Sequence, residues 1–247
     1  MKNIKLLLAY DGGRYLGWQK TLLGPSIESA IQKTLEKFLQ HPVLLQAASR
    51  TDAGVHANGQ VVNFLTTKDF DPGRLKMSLN ALLPDDIVVL QIDPMPFSFH
   101  PTLDCINKEY HYFVCHGSLQ LPKHRFYSWH YHYPLNIEKM REAGDVLRGT
   151  HDFTSFCNTN KDHPYAHSIR TVESIEIDKM NDNRLWIRVK GSNFLYKMVR
   201  NLVGTLVYVG HQKIQSSQIP IILESKSRTA AGVTAPAHGL FLHRVNY

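Results

Sequence analysis

Val43-Leu44-Leu45-Gln46-Ala47-Ala48-Ser49-Arg50-Thr51-Asp52-Ala53-Gly54-Val55-His56-Ala57-Asn58-Gly59-Gln60-Val61-Val62-Asn63-Phe64-Leu65 is the stretch on which the fold turns. Its two apolar ends, residues 43–48 and 60–65, read as strands. The polar middle is too long for a tight hairpin, so the strands are neighbours joined by an irregular loop. A helix precedes this pair over residues 27–40, with Ile27, Ile31, Leu35, Phe38 and Leu39 on one face and Ser26 placed to cap it. A strand over residues 4–10 comes before that helix. On the other side, residues 72–83 read as a helix with Leu75, Leu79 and Leu82 in register and Pro72 in its first turn, followed by a strand over residues 87–92. The order is β-α-β-β-α-β, the ferredoxin-like unit.

The second half repeats that order. Strands are expected over residues 110–115, 171–177, 185–189 and 240–245. Helices are expected over residues 137–147, capped by Asn136 with Ile137, Met140 and Leu147 inward, and over residues 194–209 and 217–224. A segment rich in His and Tyr intervenes, with an extra strand near residues 126–132. The expectation is an α+β chain of two ferredoxin-like, RRM-like units forming a mainly antiparallel sheet flanked by helices. Its subdomains are expected to be residues 1–104 and 105–247.

Of 247 residues, 43% are hydrophobic and 20% charged, enough apolar material for a core. No apolar run is long enough to span a membrane, and the apolar start at residues 4–10 is too short for a signal sequence. The cysteines, Cys105, Cys115 and Cys157, are odd in number and form no CxxC pair, which fits a reducing cytoplasm. Lys and Arg number 28 against 21 Asp and Glu, a net charge of +7 that favours a polyanionic partner.

The loop at residues 48–56 concentrates chemistry: an acid, a base and a glycine between two strands, where catalytic groups gather. Arg50 and Asp52 are two apart, so in an extended segment both side chains project the same way and can pair. An arginine partner keeps a carboxylate ionised, as a nucleophile requires. The plain alternative is a surface loop with a weak ion pair.

Arg50-Thr51-Asp52-Ala53-Gly54-Val55-His56 resembles the RTDAGVHA motif of the TruA family of pseudouridine synthases. The resemblance extends along the chain. Tyr10-Asp11-Gly12 with Gly17-Trp18-Gln19, Gly59-Gln60-Val61-Val62-Asn63-Phe64, and Lys108-Glu109-Tyr110-His111-Tyr112 are similar to further family elements. So are Asp152-Phe153-Thr154-Ser155-Phe156, Arg170-Thr171-Val172 and Met198-Val199-Arg200-Asn201-Leu202-Val203-Gly204. Phe99-His100 also matches, but Pro101-Thr102 stands where the family usually has Ala-Arg, and residues 118–133 follow no family pattern.

The resemblance implies a tRNA pseudouridine synthase acting at positions 38–40 of the anticodon arm, a homodimer that needs no cofactor or metal. It implies that Asp52 is the catalytic carboxylate, either attacking C1′ or promoting departure of uracil. It implies that Arg50 helps extrude the nucleotide and hold the aspartate, that Tyr110 stacks on the flipped base, and that Arg200 stands near the carboxylate. The chemistry suits those residue types: a stacked uridine must be flipped out, a flipped base binds an aromatic platform, and glycosidic cleavage builds positive charge that a carboxylate stabilises.

Each residue also has a plain reading. Tyr110 on a strand is ordinarily core, and Arg200 in an apolar helix can be a structural ion-pair partner. His56 reads as a loop hydrogen bond, Trp18 as a packed anchor and Cys157 as a small core residue. His130 and His132 lack a third ligand nearby. Arg14, Lys161, Arg170 and Lys197 join Arg50 and Arg200 as phosphate-contact candidates. A catalytically silent module of two RRM-like units is the rival reading, but the aromatic RNP run of such modules is not found in the sequence.

Overall fold

A computed structural model describes residues 1–158 and 166–247, so Lys161 lies outside the described residues. The chain forms two compact units, residues 1–106 with 241–247, and residues 107–240.

In the first unit, β1 (Lys2–Tyr10) is followed by α1 (Ile27–Leu39), β2 (Gln46–Ala47), β3 (His56–Thr66), α2 (Pro72–Leu82) and β4 (Ile87–Met95). β1 pairs antiparallel with β3 on one side and β4 on the other, and β2 pairs antiparallel with β3. The spatial order β4-β1-β3-β2 is that of the ferredoxin-like unit expected from sequence. Alternation along β1 puts Ile4, Leu6, Leu8 and Tyr10 inside. Ser26 caps α1 as expected, accepting from the Ser29 amide, and Ile27, Ile31, Leu35 and Leu39 are buried against the sheet.

Two elements, β2 and α2, differ from expectation. β2 is two residues long, because Val43 gives its backbone to α1: its N–H donates to Glu36 Oε1 and its carbonyl accepts from Gln32 Nε2. α2 stops at Leu82, which is exposed, and Leu83 turns inward in extended conformation. Asp71, rather than a residue singled out in the sequence, caps that helix through the Arg74 amide.

The second unit contains β5 (Asn107–His116), β6 (Trp129–Tyr131), α3 (Ile137–Leu147), β7 (Gly149–Asp152), β8 (Ile169–Lys179), β9 (Arg184–Gly191), α4 (Met198–Gly210) and α5 (Ile219–Ser225). The order β5-β9-β8-β7 is antiparallel throughout, and the short β6 lies parallel beside β5. α4 begins four residues later than the apolar pattern suggests, because Lys197 takes a left-handed φ of 58° that the helix cannot include. β10 (Leu240–Asn246) is the closing strand. It runs parallel to β3 at Phe241↔His56 and Leu242↔Ala57, and residues 241–247 are thus counted with the first unit.

Among the described residues no helix is long and apolar enough to cross a membrane. Replacing the α1 cap, Ser26→Ala, is expected to lower the free energy of unfolding by about 1 kcal/mol, read from the urea midpoint.

Candidate active site

Residues 48–56 are fixed by backbone contacts on every side. Ala48 N–H continues the strand pairing by donating to Val61 O at 2.8 Å. Gln60 is fully buried in β3 and uses its amide to extend that pairing: Oε1 accepts from Ser49 N at 3.3 Å and Nε2 donates to Ser49 O at 2.6 Å. Tyr10 OH and Thr51 Oγ1 are 2.8 Å apart, and Gln60 Nε2 reaches the same Tyr10 hydroxyl at 3.4 Å. A buried glutamine inside an apolar strand is therefore satisfied by the loop it holds and by Tyr10 of β1.

Asp52 then starts a tight turn. Its carbonyl accepts from Val55 N at 3.1 Å, and Gly54 takes φ +77°, a region open to glycine at little cost. Two glycines grip this turn. A Cβ on Gly12 would lie 2.0 Å from Val55 O, and one on Gly17 (φ +100°) would lie 2.7 Å from Thr51 O. Trp18 N–H donates to Thr51 O at 3.0 Å, while its ring is 2% exposed and 6.4 Å from that of Tyr10. Trp18 is thus a packed anchor, as its plain reading holds. Asp52 itself is half-buried at the head of the turn, and Arg50 is exposed. The expected Arg50–Asp52 ion pair is not found among the described residues, because Arg50 points to solvent instead.

In the second unit, Tyr110 is 7% exposed on β5, its ring edge-on to Phe194 at 5.2 Å and 88°. Arg200 lies in the first turn of α4, half-buried, and its Nε donates to Ala235 O at 2.7 Å. Ala235 N–H returns a bond to Arg200 O at 3.1 Å. Residues 228–235 are in turn stitched to α4. Arg228 donates to Gly232 O, Asn201 Oδ1 and Thr234 Oγ1 at 2.8, 2.9 and 3.0 Å, and burial pushes its guanidinium below the usual value. Gly204 admits this segment: a Cβ there would lie 1.7 Å from Val233 O. Tyr112, fully buried beside this region, donates to Pro236 O, and burial raises its phenol well above the ordinary value.

The Gln60 clamp, the Arg228 network and a pairing of His56 with Asp11 at 3.0 Å are not apparent from the sequence alone. The signal for the first was a polar side chain in an apolar strand; the others join residues far apart in the chain. Among the phosphate candidates, Arg14 is 89% exposed, and Lys197 lies over the Tyr196 ring at 4.8 Å. Arg170 bonds the His167 and Ile169 carbonyls. Thr102, at the departure from the family pattern, donates to Ala47 O at 2.8 Å and pins its segment beside β2. Residues 118–133 are held by bonds of their own and by contacts beyond them: Gln120 donates to Ser128 O, Ser128 Oγ to His124 O, and His124 meets Asp182 at 3.1 Å. Cys157 is buried, which pushes its thiol up and suits packing rather than nucleophilic attack.

This loop, its backbone gripped by Gly12 and Gly17, lies in a chain whose sequence matches the pseudouridine synthases. The profile described as "tRNA pseudouridine synthase" matches residues 7–104 and 143–247, and the chain belongs to that family of isomerases. It is 56% identical over 248 residues to "tRNA pseudouridine synthase A 2" of Protochlamydia amoebophila (strain UWE25), covering 100% of this chain and 95% of that protein. It is 42% identical over 247 residues to "tRNA pseudouridine synthase A" of Thermoanaerobacter sp. (strain X514), covering 100% of both. Among solved structures, an archaeal box H/ACA sRNP Nop10-Cbf5 complex aligns over 83% of this chain and 43% of that one, with 14% identity and a TM-score of 0.40.

The Gly12 contact makes a direct test. Gly12→Ala must displace the Val55 carbonyl, and overpacking of this kind costs about 1–3 kcal/mol. The expected outcome is a urea midpoint lowered accordingly, together with slower turnover because the displaced carbonyl belongs to the Asp52 turn.

Proposed function

We propose that this chain converts uridine to pseudouridine at positions 38–40 of the tRNA anticodon arm, with Asp52 as its catalytic carboxylate. The observation that carries this reading is the Asp52 turn itself, which combines the family's sequence signature with a backbone fixed at Ser49, Thr51, Gly54 and Val55. A group held that firmly meets its substrate without reorganising, which is how position becomes rate.

The reaction exchanges one glycosidic bond for another. The N1–C1′ bond breaks, uracil turns, C5 bonds to C1′, the C5 proton leaves and N1 gains one. Atoms and electrons balance within the nucleotide, so no redox partner or energy source is required. Asp52 meets the positive charge that develops at C1′. Arg50, exposed beside the turn, helps extrude the nucleotide. Tyr110 stacks on the flipped base, and its phenol oxygen takes the C2′ proton as uracil leaves and returns it to C2′ when C5 bonds to C1′, while Arg200 supplies positive charge near the carboxylate. The enzyme acts in the cytoplasm as a homodimer. Residues 1–104 carry the aspartate, and residues 105–247 complete the RNA surface.

Asp52→Asn keeps the shape and removes the charge. It is expected to leave folding and tRNA binding intact and to abolish pseudouridine formation. Substantial turnover by the purified variant would remove Asp52 from the role.

Tyr110 separates stacking from proton transfer. Loss of stacking in Tyr110→Leu costs about 1–3 kcal/mol, roughly ten- to hundredfold in rate. If the hydroxyl accepts a proton, Tyr110→Phe is nearly as slow, since such help is typically worth about 10²–10⁴-fold. In single turnover at saturating tRNA, a Phe variant within about threefold of the parent would exclude the proton-transfer role.

A further inference from the structure

A buried imidazole lies directly behind the Asp52 turn. His56 is 2% exposed, is the first residue of β3, and has no part in the chemistry described above. Its Nδ1 lies 3.2 Å from the Gly12 amide nitrogen and 3.0 Å from Asp11 Oδ1. A bare Nδ1 accepts from the first, and a protonated Nδ1 donates to the second. In either state the ring is bonded to the turn that follows β1. That turn is itself fixed: Asp11 Oδ1 accepts from Gly13 N at 2.8 Å, and Asp11 N–H donates to Asp86 O at 2.9 Å. The His56 ring stacks on Phe241 of β10, with centroids 4.6 Å apart and planes 20° apart. From the Asp11–Gly13 turn, contact passes through Gly12 to the Val55 carbonyl, and from Val55 N–H to the Asp52 carbonyl.

We propose that His56, together with Asp11, is a positioning residue for pseudouridine formation. The ring holds the Asp11–Gly13 turn against Val55, and so sets the depth at which the Asp52 carboxylate is offered to the ribose. This rests on the reading of Asp52 as the catalytic carboxylate. A ring this deeply buried acts through the loop rather than on a nucleotide. Packing alone does not account for the choice of residue, since a phenylalanine would fill the space and stack on Phe241 but could not bond the turn.

The test uses full-length variants with an anticodon-arm-containing tRNA transcript, measuring binding, urea midpoint and single-turnover rate at saturating tRNA. His56→Phe is expected to fold and to bind tRNA within about twofold of the parent, yet to turn over at least about tenfold more slowly, because small misplacements of a catalytic group are costly. His56→Asn sets an amide atom near the place of Nδ1 and is expected to recover to within about threefold of the parent, although it loses the stacking. A merely structural role would instead track the urea midpoint and would not be rescued by Asn. A His56→Phe rate within about twofold of the parent, or an Asn variant no faster than Phe, overturns the proposal. Should His56→Phe fail to fold, Asp11→Ala decides: slowed turnover with intact binding supports the positioning role, and an unchanged rate overturns it. Asp52→Asn runs alongside. If it is as fast as the parent, the carboxylate reading and the positioning role fall together. If it is inert while His56→Phe is fast, only the positioning role falls.

Discussion

Gly12 lies so close to the Val55 carbonyl that no side chain fits between them. This contact brings the turn after β1 onto the loop before β3, although some forty residues separate them in the chain. Gly17 makes a second approach of the same kind, against Thr51. Between these two contacts the chain reverses at Asp52–Val55, and the reversal in turn needs the left-handed Gly54. Three glycines thus permit one conformation that any larger residue would open.

Close approach of backbone to backbone strips water from polar groups, and those groups must then be paired within the protein. The loop meets this requirement with side chains drawn from β1 and β3. Gln60 stands in for a strand partner at Ser49, and the Tyr10 hydroxyl serves both Thr51 and Gln60. Removal of any one member strands another in a dry setting, so the network behaves as a unit. Rigidity at the Asp52 backbone is the result, while its side chain stays half-exposed.

The helices and their caps were legible in the sequence because the information is local. Ser26 and Asn136 cap α1 and α3 as read, and the apolar residues at helical spacing turned inward except Phe38, which is half-buried, and Leu82, which is exposed. Strand ends were less legible because they depend on competitors elsewhere: Val43 left β2 for Gln32 and Glu36. β7, Gly-Thr-His-Asp, has no apolar alternation to announce it and exists by pairing with β8. The late start of α4 hangs on the backbone of Lys197, which composition does not reveal. At the site, residue chemistry alone allowed an ordinary surface loop, and the family resemblance singled out Asp52, Arg50, Tyr110 and Arg200. The inferred Arg50–Asp52 pair failed because two-residue spacing fixes a common direction only in regular strand, and residues 49–52 are irregular. The Asp11–His56 bond and the Phe241 stack lay beyond sequence reasoning, since nothing local to one partner specifies the other.

β10 carries an implication for synthesis on the ribosome. Phe241 covers the ring of His56, Asn246 O accepts from Ile106 N–H, and Tyr247 packs on Phe99 while its hydroxyl bonds Pro101 O. All of these partners emerge early, but residues 107–240 are translated before the strand that covers them. During that interval β3 lacks its neighbour at His56 and Ala57, and the apolar face of the imidazole has no Phe241 against it. The first unit is therefore the earlier to be made but cannot reach its final packing until residues 241–247 have cleared the exit tunnel. A nascent chain stalled short of Phe241 would hold every residue of the Asp52 loop without the strand that backs it.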